Sequence, residues 1–371
     1  MRLTMPLLRA FAAVALMIAA LPAGAGGVET SAGPMQITPV ATGFDQPWGL
    51  AFLPDGRFLV TERDARRLWL LDGDGGQARH LAPAIAIGNQ GGLLDVMVPH
   101  DFAETRQLWL TYTIEPGVGR APVLARARLS ADDARLEDVK VVFVGAVMPG
   151  GRHFGSRVVE APDGSIFLTL GDRGTGPGGL HAQWPEHPEG KVMHFTADGL
   201  PADTPAGAFP GMYSLGHRNP QGAAIGPDGA LWLVEHGPQG GDEVNRVEKG
   251  RNYGWPVITW GEEYGGGAIG EGPVKEGMEQ PLHYWVPSIA PSGMLFYSGA
   301  LVPEWKGDIF TGSLNSDFIS RLDPDTPADK GFAEERIAAA ETARVRAVAE
   351  APDGSIWFLS VIDGAVYRLA P

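Results

Sequence analysis

Side chains able to move protons, grip anions or ligate a hard cation gather in a few short stretches of this sequence. The densest are Gly88-Asn89-Gln90-Gly91-Gly92, Gly151-Arg152-His153-Phe154-Gly155-Ser156-Arg157, Gly216-His217-Arg218-Asn219-Pro220-Gln221-Gly222 and Glu235-His236-Gly237-Pro238-Gln239-Gly240-Gly241-Asp242-Glu243. His153 stands among Gly, Arg and Ser in a polar stretch. Imidazole titrates near neutral pH, which suits it to taking a proton from a hydroxyl. His217, Arg218, Asn219 and Gln221 form a polar knot that no hairpin requires. The Gly237-Pro238 turn offers backbone carbonyls, and hard cations such as Ca²⁺ prefer oxygen donors. Asp242 and Glu243 beside it would bind such a cation directly or order its waters; a solvated acidic turn would use the same residues. In Arg344-Val345-Arg346 the period of a strand puts both guanidiniums on one side. Two planar donor forks suit an anion carrying several carboxylates, or else an exposed ion-pair face.

Composition removes several other chemistries. The chain of 371 residues has no cysteine, which excludes disulfides, thiolate metal sites and cysteine nucleophiles. Its formal net charge of −15 argues against nucleic acid or anionic lipid as partner. The nine histidines are dispersed, with no His-x-x-x-His pair, so metal binding through histidine is unattractive. Nucleophile elbows, phosphate loops and dinucleotide fingerprints in a strand–helix setting are absent.

The elements that must position these residues repeat. Residues 1–25 are set apart first: Arg2 and Arg9, an apolar run from Ala10 to Leu21, then Pro22-Ala23-Gly24-Ala25. That is the layout of a secretory signal peptide, its apolar run too short to span a bilayer as a helix. Residues 26–371 then read as one domain destined for the periplasm or the exterior. Pro-Asp-Gly followed by apolar residues occurs at Pro54, Pro162, Pro227 and Pro352, each copy a strand–turn–strand hairpin. The intervals are 108, 65 and 125 residues, so two gaps each hide a degenerate copy, at Leu108–Tyr112 and Gly307–Thr311. A second series agrees, with each unit closing on a strand: Arg67–Leu71, Leu124–Leu129, Lys191–Phe195, Glu243–Val247, Phe318–Leu322 and Val366–Leu369. Six such units cannot bury their faces singly. The expectation is an all-β, six-bladed β-propeller with four-stranded blades, Ile37–Val40 supplying the strand that closes the last blade. Long insertions at 171–190 and 252–293 would gather over one face and build the site.

Gly216–Gly222, Glu235–Pro238, Asp242-Glu243 and Gly250-Arg251-Asn252-Tyr253-Gly254-Trp255-Pro256 together resemble the soluble quinoprotein glucose dehydrogenase and aldose sugar dehydrogenase family. The resemblance runs in order from Gln46-Pro47-Trp48-Gly49 to Arg344-Val345-Arg346. It implies a propeller holding pyrroloquinoline quinone (PQQ) over Ca²⁺ and oxidising the anomeric hydroxyl of an aldose to a lactone. On that likeness His153 is the general base, while hydride passes from C1 of the sugar to C5 of the quinone. Arg218 is the cation beside the quinone oxygen. Asn219, Gln221 and Ser288 contact the cofactor, and Arg344 and Arg346 clamp its carboxylates. Gly237 and Pro238 ligate Ca²⁺ with Asp242 and Glu243 in support, and Gln90 faces the substrate. Against the glucose dehydrogenase branch, Arg152 replaces an acidic residue, Val286 a tryptophan and Asn315 a cofactor-binding lysine. These departures favour the aldose sugar dehydrogenase branch with relaxed sugar choice and a soluble electron acceptor.

Two other readings compete. A lactonase-like propeller hydrolase would need side-chain carboxylate and amide ligands converging on the axis. A non-catalytic secreted propeller that binds sugar or protein would have lost the base or the Arg clamp, and both are present.

Overall fold

The computed structural model describes residues 26–72, 75–80, 85–175 and 177–371. The expected signal peptide lies outside the described residues. Six antiparallel sheets follow one another along the chain. Strands β1 (Gly26–Thr30) and β2 (Gly33–Thr42) come first. Blade 1 is β3 (Pro47–Phe52), β4 (Phe58–Glu62), β5 (Arg67–Asp72) and β6 (Gly75–His80). Blade 2 is β7 (Leu93–Met97), β8 (Gln107–Ile114), β9 (Ala121–Leu129) and β10 (Leu136–Val144). Blade 3 is β11 (Val158–Glu160), β12 (Ile166–Leu170), β13 (Lys191–Phe195) and β14 (Met212–Leu215). Blade 4 is β15 (Pro220–Ile225), β16 (Leu231–Glu235), β17 (Asp242–Val247) and β18 (His283–Trp285). Blade 5 is β19 (Pro291–Phe296), β20 (Ile309–Ser313), β21 (Ile319–Ala328) and β22 (Gly331–Ile337). Blade 6 is β23 (Val345–Glu350), β24 (Ile356–Ser360) and β25 (Ala365–Ala370), completed by β2.

The six-bladed all-β propeller expected from the repeats is therefore the fold. All four Pro-Asp-Gly turns join the first and second strands of a blade, and both degenerate copies fall on second strands. Ile37 pairs with Leu369 and Thr38 with Arg368, so the N-terminal strand closes the last blade. Strand β1 then adds a fifth, outermost strand to that sheet, beyond the expected four. The second sequence series needs one correction. Its members are third strands, not closing ones; the closing strands are short or solvent-facing and lack a clean alternation, as in three-residue β18 and largely exposed β10.

Between adjacent blades the second and third strands bury their side chains on both faces. Leu59, Leu68, Leu108, Leu110 and Val123 form one such wedge, and Phe52, Phe58 and Trp357 meet edge-on in another. Each fully buried side chain of this kind contributes ~1.5–3 kcal/mol.

The first strands line the axis, and five of the six carry a register shift against the second strand. The shifts fall at Pro47/Leu50, Leu93/Val96, Pro220/Gly222, Ser292/Leu295 and Val345/Ala347. A bulge re-aims the side chain it contains. Trp48, Asp95, Gln221 and Arg346 sit inside these bulges and all turn towards the axis. Arg157 crosses the axis to tie the ring together. It donates to Asp95 Oδ1 at 3.1 Å, to the Gln221 carbonyl at 2.7 Å and to the Arg346 carbonyl at 2.9 Å. Its guanidinium also lies 4.1 Å from the Trp48 ring. One buried side chain at the start of blade 3 thus touches four other blades.

Candidate active site

At the end of the axis where the first strands begin lies a cavity of about 960 Å³. Every blade contributes to it, through the loop preceding its first strand or the loop between its second and third. Trp48, Gln90, His153, Arg218, Asn219, Gln221, His236, Gly237, Pro238, Asp242, Ser288, Arg344 and Arg346 all line it. The sequence segments far apart in the chain converge because each occupies one of these two positions in its own blade.

His153 has a positive φ of 52°, in the left-handed region that a non-glycine residue enters only under constraint. Its backbone N–H donates to Gln90 Oε1 at 2.7 Å. Its Nδ1 lies 2.6 Å from Asp172 Oδ1. Asp172 is 1% exposed and also accepts from Gly174 N at 2.8 Å and Trp255 Nε1 at 2.7 Å. A carboxylate so fixed keeps the Nδ1 proton in place and leaves Nε2 as the basic nitrogen. Burial pulls the His153 pKa below the ordinary 6.5; Asp172 opposes this, and Arg218 and Arg152 reinforce it. The imidazole is therefore neutral and basic at neutral pH. Asp172 was missed by sequence reasoning. Its only trace was a polar Gly171-Asp172-Arg173-Gly174 break straight after an apolar strand, inside the insertion expected to build the site.

Arg346, Arg218 and Arg344 line the same cavity, and none of them makes a salt bridge among the described residues. Arg346 is 8% exposed and has no carboxylate partner among the described residues. One Nη donates to Gln221 Oε1 at 2.8 Å and Ser292 Oγ at 3.1 Å, while its buried Nε has no partner. Burial, with Arg157, Arg344 and Arg63 nearby, holds its pKa well below the usual guanidinium range. Arg218 Nη1 donates to the His236 carbonyl at 3.1 Å, and its Nε too is buried and without a partner among the described residues. A buried donor left without an acceptor costs ~1–3 kcal/mol, more when charged, so this wall is chemically suited to anionic oxygens. Arg344 reaches the rim, but not by strand alternation: it precedes β23 with φ 52° and is held by the Leu314 carbonyl at 2.8 Å. Asn219 Oδ1 and Gln221 Nε2, 3.2 Å apart, complete the wall with Gly155.

The Gly237–Gly241 turn forms the third part. Asp242 is fully buried, and its carboxylate accepts from Gly237 N (2.7 Å), Ser288 Oγ (3.1 Å), Ile289 N (2.7 Å) and Ala290 N (2.7 Å). Burial nevertheless raises its pKa to about 6. A Cβ on Gly237 would collide with the backbone of Gly240 and Gly241, so only glycine closes this turn. The Gly237 carbonyl accepts no hydrogen bond among the described residues, and the Pro238 carbonyl only a long one of 3.4 Å from Ser288 Oγ. These carbonyl oxygens could therefore serve as ligands for a hard cation.

Some sequence candidates stand elsewhere. His217 is wholly buried outside the cavity, between Ser214 Oγ (2.8 Å) and Glu235 Oε1 (2.9 Å) and stacked on Tyr253. It braces the loop that carries Arg218, whose N–H donates to Glu235 Oε2 at 2.7 Å. Glu243 follows Asp242 in β17 and so points to the opposite face. It bonds Asn245 Nδ2 at 3.0 Å and is not among the cavity-lining residues. Burial, then the neighbouring Glu235, raises its pKa above the usual carboxylate range. Val286 and Asn315 line the cavity, whereas Arg152 does not.

An axial histidine, a cluster of arginines and a carbonyl-lined turn at the mouth of a propeller form a cavity able to hold a polyanionic ligand beside a proton acceptor. The chain belongs to the Glucose / Sorbosone dehydrogenase family, whose model matches residues 44–368. It is 39% identical over 353 residues to aldose sugar dehydrogenase YliI of Escherichia coli K12, covering 88% of this chain and 90% of that one. The crystal structure of the apo soluble aldose sugar dehydrogenase from Escherichia coli superposes with a TM-score of 0.85 at 35% identity, over 91% of this chain and 99% of that one. The PQQ-bound aldose sugar dehydrogenase from Streptomyces coelicolor gives 0.73 at 27% identity, over 91% and 98%. The chain is accordingly an oxidoreductase acting on sugars. Among the described residues no helix is long and apolar enough to cross a membrane.

Proposed function

We propose that the chain oxidises the anomeric hydroxyl of aldoses to lactones, with PQQ and Ca²⁺ held in the axial cavity. The observation that carries this reading is the pair of buried, unpartnered Nε donors on Arg218 and Arg346, on a wall without paired carboxylates. PQQ carries three carboxylates, and its chemistry when bound is to accept a hydride from the sugar carbon. Arg346 and Arg344 would hold carboxylate groups, and Asn219 and Gln221 the polar edge. Gly237 and Pro238 would present carbonyls to Ca²⁺. Asp242 shapes that turn, since its four hydrogen bonds within the protein are already made.

The chain's own part in the chemistry is proton removal and charge placement. His153 Nε2 takes the hydroxyl proton, and Asp172 stabilises the imidazolium that forms. Arg218 stabilises negative charge developing at its end of the cavity. Gln90, which holds the His153 backbone, stands at the substrate side. Val286 is 42% exposed on the rim and offers less surface than a tryptophan would, which supports relaxed sugar choice. A periplasmic or secreted location follows from the expected signal peptide, and the electron acceptor is a soluble carrier.

The test is reconstitution of the purified chain with PQQ and Ca²⁺, followed by aldose-dependent reduction of a dye. Turnover that requires both additions supports the reading; a chain that neither binds PQQ nor reduces dye refutes it.

A further inference from the structure

The 171–190 insertion of blade 3 brings together a second set of ligand groups, away from the axial cavity. One ring nitrogen each from His181 and His187 and a carboxylate oxygen of Glu189 lie within 4.8 Å of one another. His181 Nδ1 is 3.2 Å from Glu189 Oε1, and His187 Nδ1 is 3.6 Å from Glu189 Oε2. Donors each ~2.0–2.1 Å from a tetrahedral Zn²⁺ stand about 3.3 Å apart, so small side-chain rotations close this set on an ion.

A second observation points the same way. The Glu189 side chain is 3% exposed, yet its Oε2 makes no hydrogen bond among the described residues. Two cations stand near it and do not satisfy it. Lys191 Nζ spends its three N–H groups on the carbonyls of His181 (3.1 Å), Ala182 (2.9 Å) and Glu189 (2.7 Å). Arg173 donates only to backbone carbonyls, those of Arg152, Arg120, Ala146 and Gly150. A buried carboxylate oxygen facing an imidazole nitrogen across 3.6 Å has the character of a ligand awaiting an ion. The donors are two imidazoles and one carboxylate, a set that suits borderline divalent transition ions and leaves a coordination position for water. The dispersal of the histidines along the sequence hid this, because a short 3-10 helix (Pro177–Gln183) and the loop after it, and not one α-helix, bring them together.

We propose that His181, His187 and Glu189 bind one Zn²⁺-class divalent ion that pins the 171–190 insertion. Gly190 N donates to the Gly171 carbonyl at 2.9 Å, so the pinned segment and Asp172 belong to one closed loop. The ion is structural support for the loop that orients His153, and its binding does not depend on the redox reading.

The untagged full chain, in buffer containing Ca²⁺, is titrated with Zn²⁺ by calorimetry and with Co²⁺ by visible absorption. The expected result is one ion per chain and Co²⁺ d–d bands, both lost in His187→Ala and in Glu189→Gln and both kept in the exposed control His100→Ala. The thermal midpoint of the unmodified chain should rise with Zn²⁺, and that of His187→Ala should not. If Glu189→Gln fails to fold, His187→Ala decides, since that side chain is 35% exposed. Absence of stoichiometric binding, or binding undiminished in His187→Ala, overturns the proposal.

Discussion

At the scale of single residues the account turns on His153, whose two nitrogens have separate jobs. Replacing it with Gln keeps a polar group of similar reach but removes the base. Turnover should fall ~10²–10⁴-fold while PQQ affinity holds, as measured by steady-state kinetics beside a cofactor titration. The pH profile carries a second prediction. Because burial lowers the His153 pKa below 6.5, the acid limb of kcat/KM should lie below that value. Asp172 raises that pKa, so Asp172→Asn moves the limb to lower pH and lowers kcat by ~10²-fold or more, as the tautomer is no longer fixed. Arg152→Ala removes a neighbouring positive charge and moves the limb the opposite way. A profile indifferent to both substitutions would mean that the limb belongs to another group. The role of Asp172 was not readable beforehand, because it is set by a contact between residues 19 apart that only the folded insertion brings together.

At the scale of elements, the turns were the most legible part. Pro and Gly fix the backbone locally, so Pro54-Asp55-Gly56 and its three copies marked the first hairpin of four blades without reference to anything distant. The bulges were not legible, because a register shift is a property of two strands and neither sequence alone records it. They nonetheless aim Gln221 and Arg346 at the axis. Arg344 reached the rim for a reason other than the alternation that predicted it. The Gly237 turn and the 288–290 loop are likewise joined chiefly through Asp242, with Ser288 Oγ adding a bond from Gly240 N at 2.9 Å. Removing that carboxylate in Asp242→Ala strands the N–H groups of Gly237, Ile289 and Ala290. Calcium affinity should then drop ~10–100-fold, the usual cost of losing a supporting partner. Glu243→Gln, on the other face of β17, should leave it unchanged. Isothermal titration with Ca²⁺ in the presence of PQQ separates the two.

For the whole molecule, the problem is closing a ring whose first and last blades are far apart in sequence. Pairing of β2 with β25 does so at the rim, and Arg157 does so on the axis. Arg157→Met would leave Asp95 buried without its counterion and should lower stability by ~3–5 kcal/mol. Adding Asp95→Leu should recover part of that loss in denaturant unfolding; equal stability of the single variant and the parent would remove Arg157 from this role. The most direct measurement of the central claim is an anaerobic visible spectrum of the chain loaded with PQQ and Ca²⁺, before and after one equivalent of aldose. The account predicts that the oxidised cofactor's absorption is lost promptly in the parent chain and persists in His153→Gln. An unchanged spectrum in the parent, or equal rates in both, would contradict it.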